Sequence, residues 1–341
     1  MEIRIHTVEL PMKRALTITH GTTESLRNIV VELIEGELRG YGEAAPLPYY
    51  GVTADSIAAS LRAARRRIEE TPWQSPEELW DRLLPVLGHD RFALCAVDLA
   101  AHDLWGKKLK KQVYELWGLS RADCPPTNYT IGLDPPDVMA LKIREAPGFG
   151  CYKIKLNADD PVGRVRVLRR ETDAVFRVDA NTAWTAEQTI VWARELRDLG
   201  VEFIEQPLPA ENISAMPAVR RDSGLPIIAD ENCVVPEDVE RCASAFDGVN
   251  IKLTKAGGLT AARRMVADAR RKGLKVMVGC MTETSIGICA IAQIAPMLDY
   301  VDMDGALLLA DDIADGVRIN GGVVEYSDLP GLGFTLRKGF P

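Results

Sequence analysis

The sequence predicts an α/β protein in two parts, an α+β region followed by a parallel β/α barrel. Residues 1–118 place short alternating strands before three helical stretches, whereas from residue 129 onwards eight strands alternate with seven helices. Strands that alternate with helices predict a parallel sheet, and eight of them are the number that closes into a barrel. The chain of 341 residues is long enough for two domains of ordinary size.

The first part, residues 1–118, is predicted to be a small antiparallel sheet followed by helices. Residues of alternating polarity indicate strands at 3–10, 15–20 and 28–34, and Gly36, Gly40 and Gly42 are predicted to mark turns. Helices are predicted at 53–70, 76–87 and 91–107. The second helix begins at Pro76, a residue that the first turn of a helix accepts. Strands followed by helices are typical of an α+β domain.

Residues 119–127, which include Pro125 and Pro126, are predicted to form a linker. The eight predicted barrel strands are the short apolar runs at 129–133, 152–156, 176–179, 202–205, 226–230, 249–253, 276–280 and 300–304. Helical stretches such as 161–172, 186–199 and 260–272 lie between them. These patterns predict a barrel domain over 128–310. The Gly-rich segment 311–341 lacks the pattern and is predicted to pack back on the first part.

Charge and composition exclude several classes of protein. Lys plus Arg number 41 and Asp plus Glu 49, and this net charge of −8 argues against nucleic-acid or anionic-membrane partners. No apolar run reaches the roughly 18 residues of a membrane helix, and residues 1–10 lack the apolar core of a signal peptide. Seven cysteines without a CxxC pair favour reduced thiols over a disulfide framework. We therefore expect a soluble, cytoplasmic protein.

Three carboxylates end three successive predicted strands. Asp179, Glu205 and Asp230 are separated by 26 and 25 residues, which is one β/α unit each. Because active sites of barrels form at the carboxyl ends of the strands, we expect the three side chains to converge. The chain has four histidines, so carboxylates are the available ligands, and carboxylates alone suit Mg²⁺. The spacing predicts a Mg²⁺ site, with helix capping as the alternative for each residue taken singly.

Lysines on the predicted strands form the second half of the site. Side chains two residues apart share a face, so Lys153 and Lys155 face the same way, as do Asn250 and Lys252. A lysine near a cation and another lysine is expected to have a lowered pKa and to act as a base. Two such groups on opposite sides of the metal would exchange a proton with a carbon acid held between them. Lys255 is a rival to Lys252, but it lies beyond the strand on the other alternation phase.

Six motifs in order carry a family resemblance: KIKLN, RVDANTAW, IEQPLP, IADEN, VNIKLTKAGGLT and VGCMTETSIG. With the helix LCAVDLAAHDLWGKKLKKQVYELWGL, they resemble the muconate-lactonizing branch of the enolase superfamily over nearly the whole chain. The resemblance implies an α+β capping domain over a (β/α)7β modified TIM barrel, and abstraction of a proton α to a carboxylate. It implies one Mg²⁺ per subunit, held by Asp179, Glu205 and Asp230. The catalytic groups that it implies are Lys155 as base, Lys153 as its electrostatic partner and Lys252 on the opposite face.

Strand eight narrows the resemblance. VDMDGALLL places Asp302 and Asp304 on one face, and an Asp-x-Asp here resembles dipeptide epimerases, in which the two carboxylates hold the amino-terminal ammonium group. Two inward carboxylates require a cationic ligand or a lysine partner, and pairing with Lys252 or Lys275 is the alternative. The resemblance implies 1,1-proton transfer at the α-carbon of the C-terminal residue of an L,L-dipeptide, through an enediolate intermediate.

The loops of the first part depart from the pattern of Ala-Glu epimerases. Where those enzymes carry an arginine for the acidic side chain, the stretch LTITHGTTES has His20 and Gly21. The difference disfavours Glu as the second residue and favours a hydrophobic or basic one. Tyr49 and Tyr50 are expected to line an apolar or cation-accepting pocket, with loop packing as the alternative. Glu283, in MTET, matches an acidic residue of the family and is expected to support the site.

Three functions remain open on the sequence. The first is the dipeptide epimerase, whose partner is a small-molecule dipeptide. The second is an o-succinylbenzoate synthase or muconate-type cycloisomerase on the same fold, in which Lys252 serves as a cation beside the enolate. The third is a non-catalytic metal-binding barrel, against which the complete set of metal and lysine positions argues. Barrels of this family often form a homo-oligomer, yet no exposed apolar stripe in the sequence marks an interface.

Overall fold

A three-stranded antiparallel sheet begins the chain, which a computed structural model describes over residues 1–340. Its strands are β1 (Glu2–Ile18), β2 (Gly21–Glu35) and β3 (Leu38–Ala44), in that spatial order. The pairing of β1 with β2 shifts register between Pro11 and Leu16. This irregularity explains why the sequence pattern indicates two separate strands where the structure has one long strand.

Helices follow the sheet, as predicted. They are α1 (Ala54–Glu70), α2 (Pro76–Leu87), α3 (Arg91–Leu109) and the single turn α4 (Val113–Leu116). A capping box of Thr53 and Ser56 begins α1, and the Ser75 side chain caps α2. Both caps satisfy amide groups that the helix itself leaves without partners. The predicted bounds of α1, α2 and α3 agree with the structure to within two residues.

Strand β3 corrects the prediction that Gly40 and Gly42 mark turns. Helix α3 lies so close to this strand that a Cβ on Gly40 would come 2.2 Å from the Ala100 carbonyl oxygen. A Cβ on Gly42 would come 2.3 Å from the carbonyl oxygen of Ala96. Both glycines therefore belong to the strand, where the missing side chain admits the helix backbone. Gly36, with a φ of +61°, does turn the chain.

Eight parallel strands form the barrel. They are β4 (Tyr129–Ile131), β5 (Cys151–Lys155), β6 (Val175–Asp179), β7 (Val201–Glu205), β8 (Ile227–Ala229), β9 (Gly248–Lys252), β10 (Lys275–Gly279) and β11 (Tyr300–Asp302). Each strand pairs with the next one along the chain. A parallel bridge between Thr127 and Val301 brings the last strand beside the first. The predicted α/β fold, a modified TIM barrel with an α+β cap, is confirmed.

Seven helical connections join these strands, which makes the barrel (β/α)7β. Its helices are α5 (Pro136–Glu145), α6 (Pro161–Leu168), α7 (Ala186–Asp198), α8 (Met216–Ser223), α9 (Asp238–Ala243), the short α10 (Leu253–Ala256), α11 (Leu259–Arg271) and α12 (Ser285–Ile294). Helix α12 is buried along its whole length. No helix among residues 1–340 is long and apolar enough to cross a membrane.

The last segment forms two short antiparallel strand pairs beside the first part. Strand β12 (Ala314–Asp315) pairs with β15 (Thr335–Leu336), and β13 (Arg318–Asn320) pairs with β14 (Val323–Glu325). The Phe340 ring lies 4.9 Å from His6 and 5.8 Å from Tyr41. The buried Asp103 carboxylate of α3 accepts a hydrogen bond of 2.9 Å from the Leu332 amide. These contacts attach the chain's end to the three-stranded sheet and its helices.

Candidate active site

Three buried carboxylates meet at the carboxyl ends of β6, β7 and β8. Asp179 and Glu205 are the last residues of their strands, and Asp230 directly follows β8. One oxygen of each carboxylate lies within 4.8 Å of the others. Because the carboxyl ends of neighbouring parallel strands lie at the same rim of the barrel, these side chains lie together there. The structure thus brings the three sequence-predicted ligands together.

Lysines approach this cluster from one side along β5. The Lys153 ammonium lies 3.2 Å from the carboxylate of Asp179, 2.9 Å from that of Glu205 and 2.8 Å from that of Asp302. The Lys155 ammonium lies 2.6 Å from Asp179. As predicted from the alternation, both side chains of the KxK motif face the barrel interior.

Lys252 lies on the opposite side of the cluster, at the end of β9. Its ammonium is 2.7 Å from the Asp230 carboxylate. Asn250, two residues earlier, donates a hydrogen bond of 2.8 Å to Glu205 and so shares the inward face. The cluster therefore has lysine nitrogens on two sides, with space between them.

Lys255 lies deeper than the sequence predicts. The short helix α10 turns the chain after β9, so that the Lys255 side chain is fully buried and its ammonium contacts the Asp230 carboxylate. It also donates a hydrogen bond of 2.5 Å to the Asp230 carbonyl oxygen. The alternation rule fails here because the strand has already ended. Lys252 lines the cavity above the cluster, whereas Lys255 supports a carboxylate from below.

The carboxylates that face Lys153 and Lys252 raise the pKa of both lysines. Burial lowers the pKa of Lys153, but Asp302, Glu205 and Asp179 together raise it well above its usual value. Burial likewise lowers the pKa of Lys252, and Asp230 raises it well above the usual value. The predicted lowering of the lysine pKa values refers to lysines beside a bound cation, which would engage these carboxylates.

The carboxylates respond to the same charges. Burial by itself would raise the pKa of Asp179 and Asp230, yet the adjacent lysines pull both well below the usual range. Glu205 differs: burial and the neighbouring Asp179 raise its pKa to about 7. A further positive charge among the three carboxylates is therefore favourable, since it would favour the ionised form of Glu205.

The donor set fits Mg²⁺. Asp179, Glu205 and Asp230 offer oxygen ligands alone, which are the hard donors that this ion prefers, and their ligand atoms already lie close together. Three ligands from the chain also leave coordination positions for water or a substrate carboxylate. These three residues would hold the ion.

A cavity of about 330 Å³ opens above the cluster, between the barrel rim and the first part of the chain. Lys153, Lys155 and Lys252 lie in its floor. Its wall on the side of the first part includes His20, Tyr49 and Tyr50, all three expected from the sequence to line a pocket. The substrate-facing residues predicted from both parts of the chain therefore share one space, with Glu283 as the exception.

Asp302 and Asp304 line the cavity on the side of β5 and β4. Asp302 accepts hydrogen bonds from Asn128, at 2.7 Å, and from Lys153, at 2.8 Å. Asp304 accepts hydrogen bonds from the Thr130 amide, at 2.5 Å, and from the Thr130 hydroxyl, at 3.1 Å. Asp302 thus has an ammonium partner, whereas the hydrogen bonds to Asp304 come from uncharged donors.

The predicted alternative partners of this pair are excluded. Lys252 pairs with Asp230, and Lys275 lies 3.0 Å from Asp299. Burial and the nearby Asp302 raise the pKa of Asp304 to about 7. A cationic group of a ligand placed here would stabilise the ionised form of Asp304.

The aromatic wall is loosely built. The His20 ring lies 4.9 Å from the Tyr49 ring, and Tyr49 stands edge-on to Tyr50 at 5.0 Å. The His20 Nε2 atom has one contact of 3.5 Å, with the Thr182 hydroxyl. Glu231, which directly follows Asp230 in IADEN and was not predicted, also lines the cavity. Burial and Asp230 raise the pKa of Glu231 to about 8.

Glu283 lies beneath the cavity rather than in its lining. Its carboxylate accepts hydrogen bonds from the Met281 amide, at 3.1 Å, and from the Thr254 hydroxyl, at 3.4 Å. Met281 lines the cavity, and Thr254 lies two residues from Lys252. Glu283 therefore contacts the site through residues on either side of it.

A second carboxylate, Glu43 of β3, lies close to Glu283 and was not predicted. It accepts hydrogen bonds from the amide and the hydroxyl of Thr284 and from the Gly287 amide, and so caps α12 from the first part of the chain. The Asn28 side-chain amide donates a hydrogen bond of 2.7 Å to the Glu43 carboxylate and one of 3.1 Å to the Thr282 carbonyl oxygen. The one available signal was an acidic residue in GYGEAAP, a strand of small and apolar residues.

A capped (β/α)7β barrel whose rim carries three carboxylates flanked by lysines defines a metal-dependent enzyme of carbon acids. Residues 1–118 match the family described as "Mandelate racemase / muconate lactonizing enzyme, N-terminal domain". Residues 138–339 match the one described as "Enolase C-terminal domain-like". The chain therefore belongs to the mandelate racemase / muconate lactonizing enzyme family of the enolase superfamily, which confirms the resemblance.

Its relatives in this family bear the names of dipeptide epimerases. The chain is 46% identical to the L-Ala-D/L-amino acid epimerase of Flavobacterium johnsoniae, with 98% of this chain and 100% of that protein covered. It is 48% identical to the protein of the same name from a Maribacter species, over 99% and 100%. A dipeptide epimerase from Methylococcus capsulatus, solved with Mg and L-Arg-D-Lys, superposes with a TM-score of 0.90 at 33% identity, over 98% and 99%.

Proposed function

We propose that this protein is a Mg²⁺-dependent dipeptide epimerase. It transfers a proton at the α-carbon of the C-terminal residue of an L,L-dipeptide, through an enediolate intermediate. The observation that carries the proposal is one cavity that holds lysines on two sides of a carboxylate cluster, together with the Asp302–Asp304 pair. Relatives named L-Ala-D/L-amino acid epimerase, at 46% and 48% identity, support it.

The lysines perform the proton transfer. Lys155 in its neutral form takes the α-proton from one face, and Lys252 in its protonated form gives a proton to the opposite face, which inverts the centre. Bound at the three carboxylates, Mg²⁺ would hold the substrate carboxylate and stabilise its developing negative charge. Because Asp230 and Glu205 raise the pKa of Lys252, their engagement as ligands would make its proton easier to release.

Lys153 stays protonated and acts through its charge. Its ammonium is enclosed by three carboxylates, and its side chain is buried. Held there, it places a fixed positive charge beside the position of the enediolate. Asp302 and Asp304 bind the ammonium group of the dipeptide's first residue, since charge-assisted hydrogen bonds to two carboxylates are the strong kind.

The second residue of the substrate is hydrophobic or basic rather than Glu. Among residues 1–340, the lysines and arginines that line the cavity are Lys153, Lys155 and Lys252 of the barrel floor. None of these comes from the wall of His20 and Tyr49. The cavity lining there instead has the aromatic rings and the carboxyl group of Glu231, which suit an apolar or cationic side chain.

We also propose the domain division predicted from the sequence, with a cap over 1–118, a linker over 119–127, a barrel domain over 128–310 and a C-terminal segment over 311–341. The bounds of the sheet, the barrel strands and the terminal strand pairs support it. Pro341 lies outside the described residues. Seven free thiols, four of them fully buried, support a cytoplasmic location.

The function is tested by α-proton exchange in D₂O. L,L-dipeptides whose second residues are acidic, aliphatic, aromatic and basic are incubated with enzyme and Mg²⁺ and followed by proton NMR. We expect exchange together with the L,D product, faster for aliphatic and basic second residues than for Glu. Turnover of an o-succinylbenzoate precursor, without exchange in any dipeptide, would overturn the proposal.

The strand-eight pair supplies an independent check. Replacing both Asp302 and Asp304 with Asn removes the negative charge that binds the ammonium group. We expect kcat/KM for dipeptides to fall by about 10- to 100-fold, from the loss of charged hydrogen bonds. Wild-type enzyme should discriminate against N-acetylated dipeptides, and the double variant should not. Unchanged activity in the double variant would favour the cycloisomerase alternative.

A further inference from the structure

A second cavity of about 410 Å³ adjoins the active-site cavity. It lies between β1 and the beginning of the barrel. Apolar side chains such as Met12, Tyr129 and Phe149 line it together with the charged residues Lys13, Arg14, Lys142 and Glu145. Leu16, Thr130 and Leu308 line both cavities. These three side chains therefore form a partition between the two spaces.

The partition is held in place on the side of β4. A Cβ added to Gly132 would come 2.9 Å from the Leu16 Cδ1 atom, so the Leu16 side chain lies against the Gly132 backbone. The Leu133 amide donates a hydrogen bond of 2.8 Å to the Thr17 carbonyl oxygen. Glycine at 132 thus makes the room that Leu16 occupies.

The partition is also held in place by the segment that follows β11. The Ala310 amide donates a hydrogen bond of 2.8 Å to the Pro11 carbonyl oxygen. The Lys13 ammonium donates one of 2.9 Å to the Leu307 carbonyl oxygen. Leu308 is therefore presented by a segment that is joined to β1 on both sides of it. Leu16 from the first part and Leu308 from the barrel are fixed relative to each other.

The first residue of a bound dipeptide meets this partition. Its ammonium group lies at Asp302 and Asp304 in the proposed function, and Asp304 is hydrogen-bonded to the backbone and hydroxyl of Thr130. The adjoining α-carbon therefore lies next to Thr130. Thr130 forms the partition together with Leu16 and Leu308. We therefore expect the side chain of the first residue to lie against Leu16 and Leu308.

We propose that Leu16 and Leu308 determine the specificity for the first residue. They restrict it to small side chains such as those of Gly, Ala and Ser, and they close off the second cavity, whose wall next to the partition includes Met12, Tyr129 and Phe149. This cavity would accept a large apolar first side chain, such as that of Leu or Phe, once the partition is removed. This inference rests on the proposed function, because it takes the ammonium position from it.

The test compares dipeptides that differ in the first residue alone. All dipeptides carry the same second residue, the one whose α-proton exchanges fastest in the first experiment. The value of kcat/KM is then measured with Ala, Leu and Phe in the first position. We expect wild-type enzyme to prefer Ala over Phe by at least about tenfold, the discrimination that a closed apolar pocket provides. Leu16→Ala, Leu308→Ala and the double variant should raise the ratio of kcat/KM for the Phe dipeptide to kcat/KM for the Ala dipeptide by at least about tenfold.

Met12→Ala is the matched control, because it enlarges the second cavity without opening the partition. Its ratio of Ala to Phe activity should equal that of wild type. A wild-type enzyme that uses both dipeptides equally well would overturn the inference and leave the epimerase proposal intact. An unchanged ratio in Leu308→Ala, with Ala-dipeptide activity retained, would do the same. If the double variant does not fold, the single variants and the wild-type series decide. Absence of exchange with every dipeptide would instead overturn the proposed function.

Discussion

The barrel rim and the loops of the first part enclose the same cavity by different means. At the rim the functional side chains are buried and joined by ion pairs, and Lys153 exposes 1% of its surface. In the loops the side chains are partly exposed and make few polar contacts, and Tyr49 exposes 40%. Proton transfer requires groups held at fixed distances, whereas recognition of one side chain tolerates a wall that adapts.

The two regions also differ in what a substitution costs. Removing one partner of a buried ion pair leaves an uncompensated charge, which costs about 3–5 kcal/mol. His20 has a single hydrogen-bond contact, with Thr182, and rests on the Tyr49 ring. Substitutions in the rim should therefore affect turnover or stability strongly, and those in the loops should mainly change which dipeptide is preferred.

Removal of the metal should produce the largest effect. Chelation of Mg²⁺ takes away the charge that the three rim carboxylates are built to hold, so α-proton exchange should fall by at least about a thousandfold. The measurement is exchange in D₂O before and after EDTA, with recovery on excess Mg²⁺ as the control. Exchange at the full rate in EDTA would contradict the role of the rim carboxylates as ligands of a required metal.

The two flanking lysines should give the next largest effect. Lys155→Ala and Lys252→Ala each delete one acid–base group and should each lower kcat by at least about a hundredfold. Lys272→Ala, which removes an exposed partner of Glu240, is the control and should leave kcat unchanged. Both lysine variants near wild-type activity would contradict the two-base mechanism.

Glu283→Gln should change the pH dependence of the protein's stability, because it replaces a buried carboxyl group beneath the rim. Burial and Glu43 raise the pKa of Glu283 to about 8. The folded protein therefore holds this proton more tightly than the unfolded chain does, and wild-type stability should fall as the pH rises from about 4.5 to 8. Glutamine does not titrate, so the variant should gain on the order of 3–4 kcal/mol relative to wild type between pH 5 and 8.

The measurement for Glu283 is the free energy of unfolding in urea at several pH values, without added metal. Glu325→Gln, at an exposed position of β14, serves as the control and should follow the wild-type curve. A difference between Glu283→Gln and wild type that stays constant with pH would show that this carboxyl group does not titrate in the window.

Substitutions in the aromatic wall should have the smallest effects. Tyr49→Phe and His20→Ala change an exposed surface, so kcat on the best dipeptide should change by less than about threefold. The ratio of kcat/KM between basic and aliphatic second residues should change by up to about tenfold, since cation–π contacts at exposed sites are weak. A hundredfold loss of kcat would mean that these loops share the chemistry of the rim, and the comparison between the two regions would fail.

Much of the rim could be predicted because the relevant signals are local. Strand alternation places Lys153 and Lys155 on one face, and the repeat of one β/α unit brings Asp179 and Glu205 to the same edge. Where a strand ends, this reasoning ends too. Lys255 lies past the end of β9, and only the turn of α10 returns it to Asp230.

The sequence by itself determined the order of strands and helices, the parallel barrel and the residues at the strand ends, because each follows from a periodicity within a few tens of residues. That the first part caps the barrel was implied by the family resemblance. The tertiary structure alone decided which charges meet across the barrel, as Lys153 with Asp302, and which groups of the first part reach the barrel, as Glu43 at α12 and Leu16 beside Leu308. These contacts join residues far apart in the chain. Their partners are selected by packing and by the burial of charge, neither of which leaves a period in the sequence.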